Sequence, residues 1–312
     1  MKVFNNINIA KNYKRSAIAI GNFAGIHKGH QKVFKKTKNF AKKNKIKFGI
    51  LTFTPIPVMF FNKKIKNHRL VSENQKLVLL KKHGVNFIIN IKFNKNFSKI
   101  SAEKFVEKII YKKMNPRSLS VSNNFRFGNK RKGNVKLLEK FSKKYDYQLL
   151  NISAFKYCEK IISSTRIRKC LQNGKIHLAN ELLTRTWFIE GLINKGRKIG
   201  RKLGFHTCNI YIRDYILPKV GIYKVKISID KKKRIFNGIA YLGNRPTFAG
   251  KKIFLEVNIF GIKKNLYKKR LRVYFQEFIR RDKKFKNSTA LIRQMNKDVI
   301  LAKKDLKVKL VL

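Results

Sequence analysis

The feature that most constrains the fold is a glycine-rich segment, Gly21 to His30, which separates an apolar run from a segment with helical spacing. The apolar run is Ala17–Ile20, and apolar residues recur after the glycines at Val33, Phe34, Phe40 and Ala41. This order predicts a strand, a turn and a helix of a parallel α/β sheet, where free N–H groups at the helix start bind phosphate. His27 lies at that helix start with His30, and both can donate hydrogen bonds to phosphate oxygens. The segment therefore predicts a phosphate site, with two incidental surface histidines as the alternative.

The first part of the chain, residues 1 to about 183, alternates strand-like and helix-like segments. Ser72 and Gln75 fit a capping box that begins one helix, and Ser101 is suited to cap another. The strand candidates are residues 17–20, 48–53, 87–91, 119–121 and 149–152. This alternation predicts a doubly wound parallel sheet.

After Trp187, short β-rich runs follow one another without helices between them, and glycines such as Gly196, Gly243 and Gly261 separate many of them. Six such strands predict a small antiparallel β-barrel. Helical periodicity returns from about Ser288 and predicts a C-terminal helix that reaches Lys309. We place the domain boundary near residues 183–187, which gives domains of 1–184 and 185–312. The strand candidates of the second domain are residues 188–193, 209–212, 222–229, 235–242, 253–260 and 271–275.

The charge of the chain is extreme, with 76 Lys and Arg residues against 15 Asp and Glu, a formal net charge of +61. Such a balance suits a nucleic-acid-binding protein, because Lys and Arg neutralise phosphates. Lysines are nevertheless spread over every segment, including the helix and barrel-strand candidates, which indicates general compositional drift. We therefore expect no specific nucleic-acid partner, and we expect nonspecific adhesion to RNA.

Cysteine usage and hydropathy exclude several other classes of protein. Cys158, Cys170 and Cys208 are widely spaced and odd in number, so they predict neither a disulfide framework nor a zinc site. The N-terminus has no apolar core of a secretory signal. The longest apolar stretch, residues 48–61, is interrupted by two prolines and is shorter than the ~18 residues of a membrane span. A soluble, cytoplasmic protein is expected, as a monomer or weak oligomer without a membrane partner.

Six further segments join the opening motif and carry a family resemblance. They are residues 123–128, 131–134, 163–168, 200–209, 242–248 and 255–260, with the sequences NNFRFG, RKGN, SSTRIR, GRKLGFHTCN, LGNRPTF and LEVNIF. In this order they closely resemble the bacterial bifunctional riboflavin kinase/FMN adenylyltransferase family, also called FAD synthetase, from about residue 16 to about residue 305. The resemblance implies a nucleotidyltransferase-type α/β domain followed by a six-stranded kinase barrel. It implies ATP, riboflavin and FMN as substrates.

For adenylyl transfer, the resemblance implies that an FMN phosphate oxygen attacks the α-phosphorus of ATP and expels pyrophosphate. Catalysis then rests on positioning and charge neutralisation, without a covalent enzyme intermediate. His27, His30 and Arg166 are the implied catalytic residues, and Asn124 is the implied flavin contact. An ordinary helix cap with solvated arginines is the alternative for residues 163–168. The implied ATP-binding residues are Gly21, Phe23, Gly29, Ser164 and Thr165.

For the kinase reaction, the resemblance implies a phosphate loop, magnesium ligands and a general base. Glu256 would accept the proton of the ribityl 5′-hydroxyl as that oxygen attacks the γ-phosphate of ATP. An outward-facing strand glutamate paired with a lysine is the alternative. Thr207 and Asn209 are the implied ligands of Mg²⁺, which prefers hard oxygen donors. The implied phosphate-loop residues are Gly200, Arg201 and Gly204.

The chain departs from the family pattern at several positions. The family usually has Asp at the position of Ala24 and Gly at the position of Ser122. In the kinase half His206 replaces a proline, and Asn258 replaces a histidine two residues after the glutamate. The lost carboxylate at Ala24 leaves open a riboflavin kinase with a degenerate adenylyltransferase domain. A basic nucleic-acid-binding protein on the same scaffold is a remote alternative.

Overall fold

The structure is a computed structural model that describes residues 1–304 apart from residues 63, 66, 67, 195–203, 213, 214, 231, 233, 248, 249, 263 and 264. It contains two compact units. The first comprises Met1–Lys66 and Val71–Ser164, and the second comprises Asn67–Leu70 and Thr165–Leu312. The units therefore divide ahead of the predicted domain boundary at residue 184, because the two helices that follow Ser164 pack with the second unit.

The first unit is built on a parallel sheet of six strands in the order β1-β4-β3-β2-β5-β6. The chain passes from β2 outward to β3 and β4, and then returns to the other side of β2 to form β5 and β6. The strands are β1 (Lys2–Phe4), β2 (Ala17–Ile20), β3 (Phe48–Thr54), β4 (Phe87–Lys92), β5 (Ser118–Ser122) and β6 (Gln148–Ile152). The predicted parallel sheet is confirmed, and the edge strand β1 is an addition to it.

Helices connect these strands. Ser72 caps α3 with the predicted capping box, since its hydroxyl accepts from the N–H of Gln75 and the Gln75 side chain accepts from the N–H of Ser72. Ser101 caps the next long helix, as predicted. The helices are α1 (Lys28–Lys43), α2 (Pro57–Phe61), α3 (Glu73–Lys82), α4 (Lys95–Ser98), α5 (Ala102–Lys104, continued by a π-helical segment Phe105–Met114) and α6 (Val135–Lys144). A two-stranded hairpin, β7 (Lys156–Tyr157) and β8 (Lys160–Ile161), follows β6.

Both faces of the sheet are covered, which explains why its central strand β2 is a continuous apolar run. Along β2, Ile18 and Ile20 join one hydrophobic cluster, while Ala17 and Ala19 join the cluster on the opposite face. Phe34 of α1 belongs to the second cluster. The small alanines therefore lie on the face of β2 whose cluster includes α1, the helix that begins at the two histidines.

The position of β2 determines where a ligand can bind. β2 is hydrogen-bonded to β3 on one side and to β5 on the other, and the strand order reverses there. Loops that leave the carboxyl ends of two such strands diverge and leave a crevice, which is the usual ligand site of an open α/β sheet. The loop after β2 begins at Gly21, and the loop after β5 begins at Asn123.

The second unit is a closed antiparallel barrel of six strands in the order β10-β13-β12-β11-β14-β9, with β9 also paired to β10. Buried Tyr223, Val225 and Ile227 alternate along β11 with the outward-facing Lys224 and Lys226. The strands are β9 (Phe188–Asn194), β10 (Thr207–Tyr211), β11 (Gly221–Ile229), β12 (Ile235–Thr247), β13 (Gly250–Ile259) and β14 (Arg270–Arg280). The predicted six-stranded barrel is confirmed.

Helices also belong to this unit. They are α7 (Ser164–Gln172), α8 (Ile176–Leu183) and α9 (Ser288–Lys303). The buried Trp187 donates from its indole N–H to the carbonyl of Leu70 at 2.7 Å, which connects Leu70 to the start of the barrel. On α9, Asp298 is almost fully buried and forms a two-pronged ion pair with Arg280 of β14, at 2.8 and 2.6 Å.

Two predicted boundaries are wrong in detail. β12 does not end at Gly243 but continues to Thr247. Gly243 is needed there for space, because a Cβ at this position would lie 2.1 Å from the hydroxyl of Tyr241. α9 ends at Lys303, short of the predicted Lys309, and residues 305–309 lie outside the described residues. No described helix is both long enough and apolar enough to span a bilayer.

Candidate active sites

The start of α1 brings the two histidines together. His27 is the N-cap residue, and its Nδ1 accepts a hydrogen bond from the backbone N–H of His30 at 3.4 Å. The two rings stack with centroids 3.6 Å apart and an angle of 20° between their planes. Gly29 permits this stack, because a Cβ there would lie 3.3 Å from the His27 ring. A histidine pair at a helix N-terminus is suited to donate hydrogen bonds to an anion, and the assignment of this pair to phosphate stays a prediction.

The loop between β2 and α1 has an unusual backbone. Phe23 and Ile26 have φ values of +45° and +46°, in the left-handed region that disfavours residues other than glycine. The Phe23 ring is buried and contacts the His30 ring edge-on, with centroids 5.2 Å apart. Gly21 leaves room for it, because a Cβ there would lie 3.0 Å from the Phe23 ring. The loop conformation therefore sets the position of Phe23, and Phe23 supports the ring of His30.

Sequence reasoning missed a buried lysine beneath this loop. The Lys76 ammonium of α3 donates to the carbonyl of Asn22 at 3.0 Å and to the hydroxyl of Thr52 at 2.7 Å. Lys76 is only 6% exposed, and Thr52 is 2% exposed. Helical spacing could have indicated that Lys76 is buried, because it lies four residues before the buried Leu80 and therefore on the same face of α3.

Two lysines of α1, Lys28 and Lys32, were also not predicted as site residues from the sequence. Lys32 donates to the side chain and carbonyl of Ser153, which follows β6, at 2.8 and 3.2 Å. The Lys28 ammonium lies over the ring of Phe155, 5.1 Å from its centroid, and 6.0 Å from the ring centroid of Tyr157. Both lysines belong to α1, the helix that begins at the histidine pair, so they add two positive charges to the N-terminal part of that helix.

Asn124 lies in the turn that leaves β5, on the other side of the point where the strand order reverses. It is exposed, and its side-chain oxygen accepts a hydrogen bond from the hydroxyl of Ser122 at 2.8 Å. Ser122 is not among the residues with positive φ, so the backbone there does not require the glycine that the family usually has. The topology therefore places the loop of Asn124 next to the loop of Gly21, at the ends of adjacent strands.

The Ser164, Thr165 and Arg166 segment forms the first turn of α7, as predicted. The carbonyl of Ile162, just before this helix, lies 3.6 Å from the position that a Cβ of Gly29 would take. Thr165 is exposed and Arg166 is half-buried. Since the compact units divide between Ser164 and Thr165, the placement of Arg166 relative to the histidines stays a prediction.

The barrel brings together three of the residues predicted for the kinase reaction, Thr207, Asn209 and Glu256. In the antiparallel pairing of β10 and β13, Asn209 lies directly opposite Glu256, and Thr207 lies directly opposite Asn258. Side chains opposite one another, or two residues apart on one strand, share a face of the sheet. Thr207, Asn209 and Glu256 therefore form one polar cluster, while the intervening Leu255 and Val257 are buried on the other face.

Tyr241 of β12 completes this cluster and was not predicted. It lies directly opposite Glu256 on the other side of β13, so Asn209 and Tyr241 flank the glutamate from the two neighbouring strands. Its hydroxyl donates to the carboxylate of Asp282 at 2.7 Å. The register between distant strands depends on the tertiary structure, so no local signal in the sequence indicated that Tyr241 lies opposite Glu256.

The segment before β10 is only partly described. Gly200 and Arg201 lie outside the described residues, whereas Gly204 forms a turn with φ of +82°. The Asn258 side chain donates to the carbonyl of His206 at 2.9 Å, so the two departures from the family pattern contact each other and hold the entry to β10. Burial raises the pKa of Cys208 to about 11, which keeps its thiol protonated beside Asn209.

In the part of the chain that the structure describes, neither site contains a protein cage for a metal ion. Among the described residues, no group of three or more His, Cys, Asp and Glu side chains could hold one. Thr207 and Asn209 instead present neutral oxygen donors on one face of β10. These are hard oxygen donors of the kind that Mg²⁺ prefers, but neither is a carboxylate, so substrate phosphates and water would have to supply the rest of its shell.

Comparison with known proteins assigns the two halves of the chain separately. The FAD synthetase family model matches residues 9–166, and the riboflavin kinase family model matches residues 183–306. A crystal structure described as a macrolide-efflux protein from Streptococcus pneumoniae superposes with a TM-score of 0.85 at 24% identity, over 97% of this chain and 98% of that chain. At this identity the likeness establishes the fold alone.

Three relatives carry the description "Bifunctional riboflavin kinase/FMN adenylyltransferase". The protein of Buchnera aphidicola subsp. Schizaphis graminum is 40% identical over 97% of this chain and 98% of its own length. The protein of Haemophilus influenzae is 35% identical over 92% and 93%, and that of Bacillus subtilis is 30% identical over 93% and 92%. With both family models matched in order, the chain belongs to the bifunctional riboflavin kinase/FMN adenylyltransferase family.

Proposed function

We propose that the polar cluster on the barrel forms FMN and that the histidine pair at the start of α1 serves the formation of FAD. As a member of its family, the chain is an ATP-dependent bifunctional enzyme that converts riboflavin to FMN and FMN to FAD. The assignment of residues to the two reactions is the proposal. The observation that supports it best is the register of β10 on β13, which sets Glu256 directly opposite Asn209, with Thr207 two residues along the same face of β10.

In the kinase reaction, Glu256 accepts the proton of the ribityl 5′-hydroxyl while that oxygen attacks the γ-phosphorus of ATP. The bond from the γ-phosphorus to the β–γ bridging oxygen breaks, and ADP leaves. Asn209 and Tyr241 lie directly opposite Glu256 on the two adjacent strands, so strand pairing fixes the backbone position of the base between them. Thr207 and Asn209 would hold Mg²⁺, and the ion, when bound, offsets charge on the phosphates.

In the adenylyl transfer, an FMN phosphate oxygen attacks the α-phosphorus of ATP and pyrophosphate leaves. This chemistry needs no nucleophile from the protein, so its residues act by orientation and by charge. The N–H groups at the start of α1, with His27 and His30, bind the ATP phosphates, and Lys28 and Lys32 add positive charge beside them. The resemblance assigns Ser164, Thr165 and Arg166 to ATP and Asn124 to the flavin, and these assignments stay predictions.

A product assay tests the proposal. The purified chain is incubated with riboflavin, excess ATP and Mg²⁺, and riboflavin, FMN and FAD are separated over time. FMN should appear first and FAD should follow from it. Accumulation of FMN alone would favour the kinase with a degenerate adenylyltransferase domain, for which Ala24 is the motivating residue. No conversion would contradict both assignments.

Domains of 1–184 and 185–312, a cytoplasmic location and a monomeric or weakly oligomeric state stay predictions. So does the expectation that the high positive charge causes only nonspecific adhesion to RNA.

A further inference from the structure

Lys76 places a charged group in the protein interior directly beneath the loop that joins β2 to α1. Its ammonium contacts the carbonyl of Asn22 at 3.0 Å and the hydroxyl of Thr52 at 2.7 Å. The Thr52 hydroxyl in turn donates to the same carbonyl of Asn22 at 3.3 Å. Two side chains from α3 and β3 thus converge on one backbone oxygen of the loop.

This position is unfavourable for a lysine unless it has a specific role. Lys76 is 6% exposed, and removing an ammonium from water costs free energy that hydrogen bonds only partly offset. It also lies in the first turns of α3, near the positive end of the helix dipole, where a cation is disfavoured. A methionine would fill a similar volume without either cost, so packing alone does not account for the charge.

The Asn22 carbonyl, to which Lys76 donates, belongs to the loop that contains two residues with strained backbone conformations. Asn22 precedes Phe23, whose φ of +45° is strained for a residue with a side chain, and Ile26 is strained in the same way. Strained residues persist only where their surroundings restrain them. Phe23 contacts the ring of His30, so a shift at Asn22 would pass through Phe23 to the histidine.

We propose that Lys76 is a positioning residue for adenylyl transfer, which holds the Asn22 carbonyl inward and thereby sets the loop, Phe23 and His30 for the ATP phosphates. The proposal rests on the assignment of His27 and His30 to that reaction. Lys76 does not itself contact the reacting atoms; it acts through the backbone of the loop.

The test uses the full chain and measures two reactions in each preparation, adenylylation of supplied FMN and phosphorylation of riboflavin. Lys76→Met removes the charge and keeps the volume, while Lys82→Met removes an exposed lysine from the same helix as a matched control. Since small misplacements of binding groups reduce rates by up to about a hundredfold, Lys76→Met should lower kcat/KM for ATP in adenylylation by about ten- to a hundredfold. Riboflavin phosphorylation should stay unchanged, Lys82→Met should change neither reaction, and Lys76→Arg should recover part of the loss.

A purely structural role predicts a different pattern. It would lower both activities in parallel, and it would lower adenylylation by the same factor in the wild type and in His30→Ala, whose residual rate is measured at high enzyme concentration. Positioning through His30 predicts that Lys76→Met has a smaller effect once His30 is replaced. If Lys76→Met does not fold, Lys76→Gln is measured in the same way, and parallel loss or full retention of the two activities overturns the proposal.

The His30→Ala arm separates the two assignments. If His30→Ala leaves adenylylation intact, the assignment of the histidine site is wrong and the role of Lys76 falls with it. If His30→Ala removes adenylylation while Lys76→Met does not lower it, only the role of Lys76 is overturned.

Discussion

Replacing Glu256 with glutamine should slow FMN formation by several orders of magnitude and leave the adenylylation of supplied FMN intact. Glu256 is half-buried between Asn209 and Tyr241, and its strand neighbours Leu255 and Val257 are buried in the barrel. Glutamine has nearly the same size and keeps a hydrogen-bonding head group, so the barrel should stay folded. It cannot accept the proton of the ribityl hydroxyl, so only the kinase reaction loses its base.

The size of the effect follows from the role. A positioned general base contributes roughly 10²–10⁴-fold to a rate, which corresponds to about 3–5 kcal/mol of activation free energy. The kcat for riboflavin phosphorylation by Glu256→Gln should fall by that factor. Because Glu256 is not assigned to substrate binding, KM for riboflavin should change much less.

The assay follows FMN and FAD over time with riboflavin as the substrate, and FAD alone with FMN as the substrate. Glu277→Gln on β14 is the matched control, since Glu277 is an exposed glutamate of the same barrel and should change neither rate. A kinase rate close to that of the wild type would refute the role of Glu256 as the base. Equal loss of both reactions would refute the separation of the two sites.

Other predictions concern the second reaction and stability. His30→Ala should remove adenylylation and spare riboflavin phosphorylation in the same two assays. Ala24→Asp should leave FAD formation essentially unchanged; a sharp rise would support the alternative of a degenerate adenylyltransferase. Asp298→Ala leaves Arg280 of a buried ion pair without its partner and should lower the free energy of unfolding by about 3–5 kcal/mol, measured by denaturant titration. Burial, and then the charge of Arg168, lower the pKa of His68 from 6.5 to about 4. The unfolded chain then binds more protons between these values, so stability should fall as the pH drops from about 6.5 to about 4, and His68→Gln should reduce this pH dependence in thermal unfolding.

Much of the secondary structure could be predicted because its signals are local. The buried strands β2, β3 and β4 are short, mainly apolar runs, and the capping box at Ser72 depends on residues three apart. β1 was missed because three half-exposed residues carry little pattern, and its place at the edge depends on pairing with β4. Gly243 was misread as a turn because a glycine in sequence does not show whether it serves flexibility or space.

The candidate sites divide in the same way. The histidines, Glu256, Thr207 and Asn209 are identifiable from the sequence, because their motifs are contiguous segments that resemble a known family. That Asn209 and Glu256 are direct neighbours is a property of strand register between segments far apart in the chain.

The sequence by itself therefore determined the order of strands and helices and the chemical groups available in each half. Only the tertiary structure decided that β5 pairs beside β2, that Tyr241 flanks Glu256, and that Lys76 supports the loop at Asn22. Strand neighbours, register and the burial of one lysine result from contacts between distant segments, and periodicity within a few residues carries no information about them.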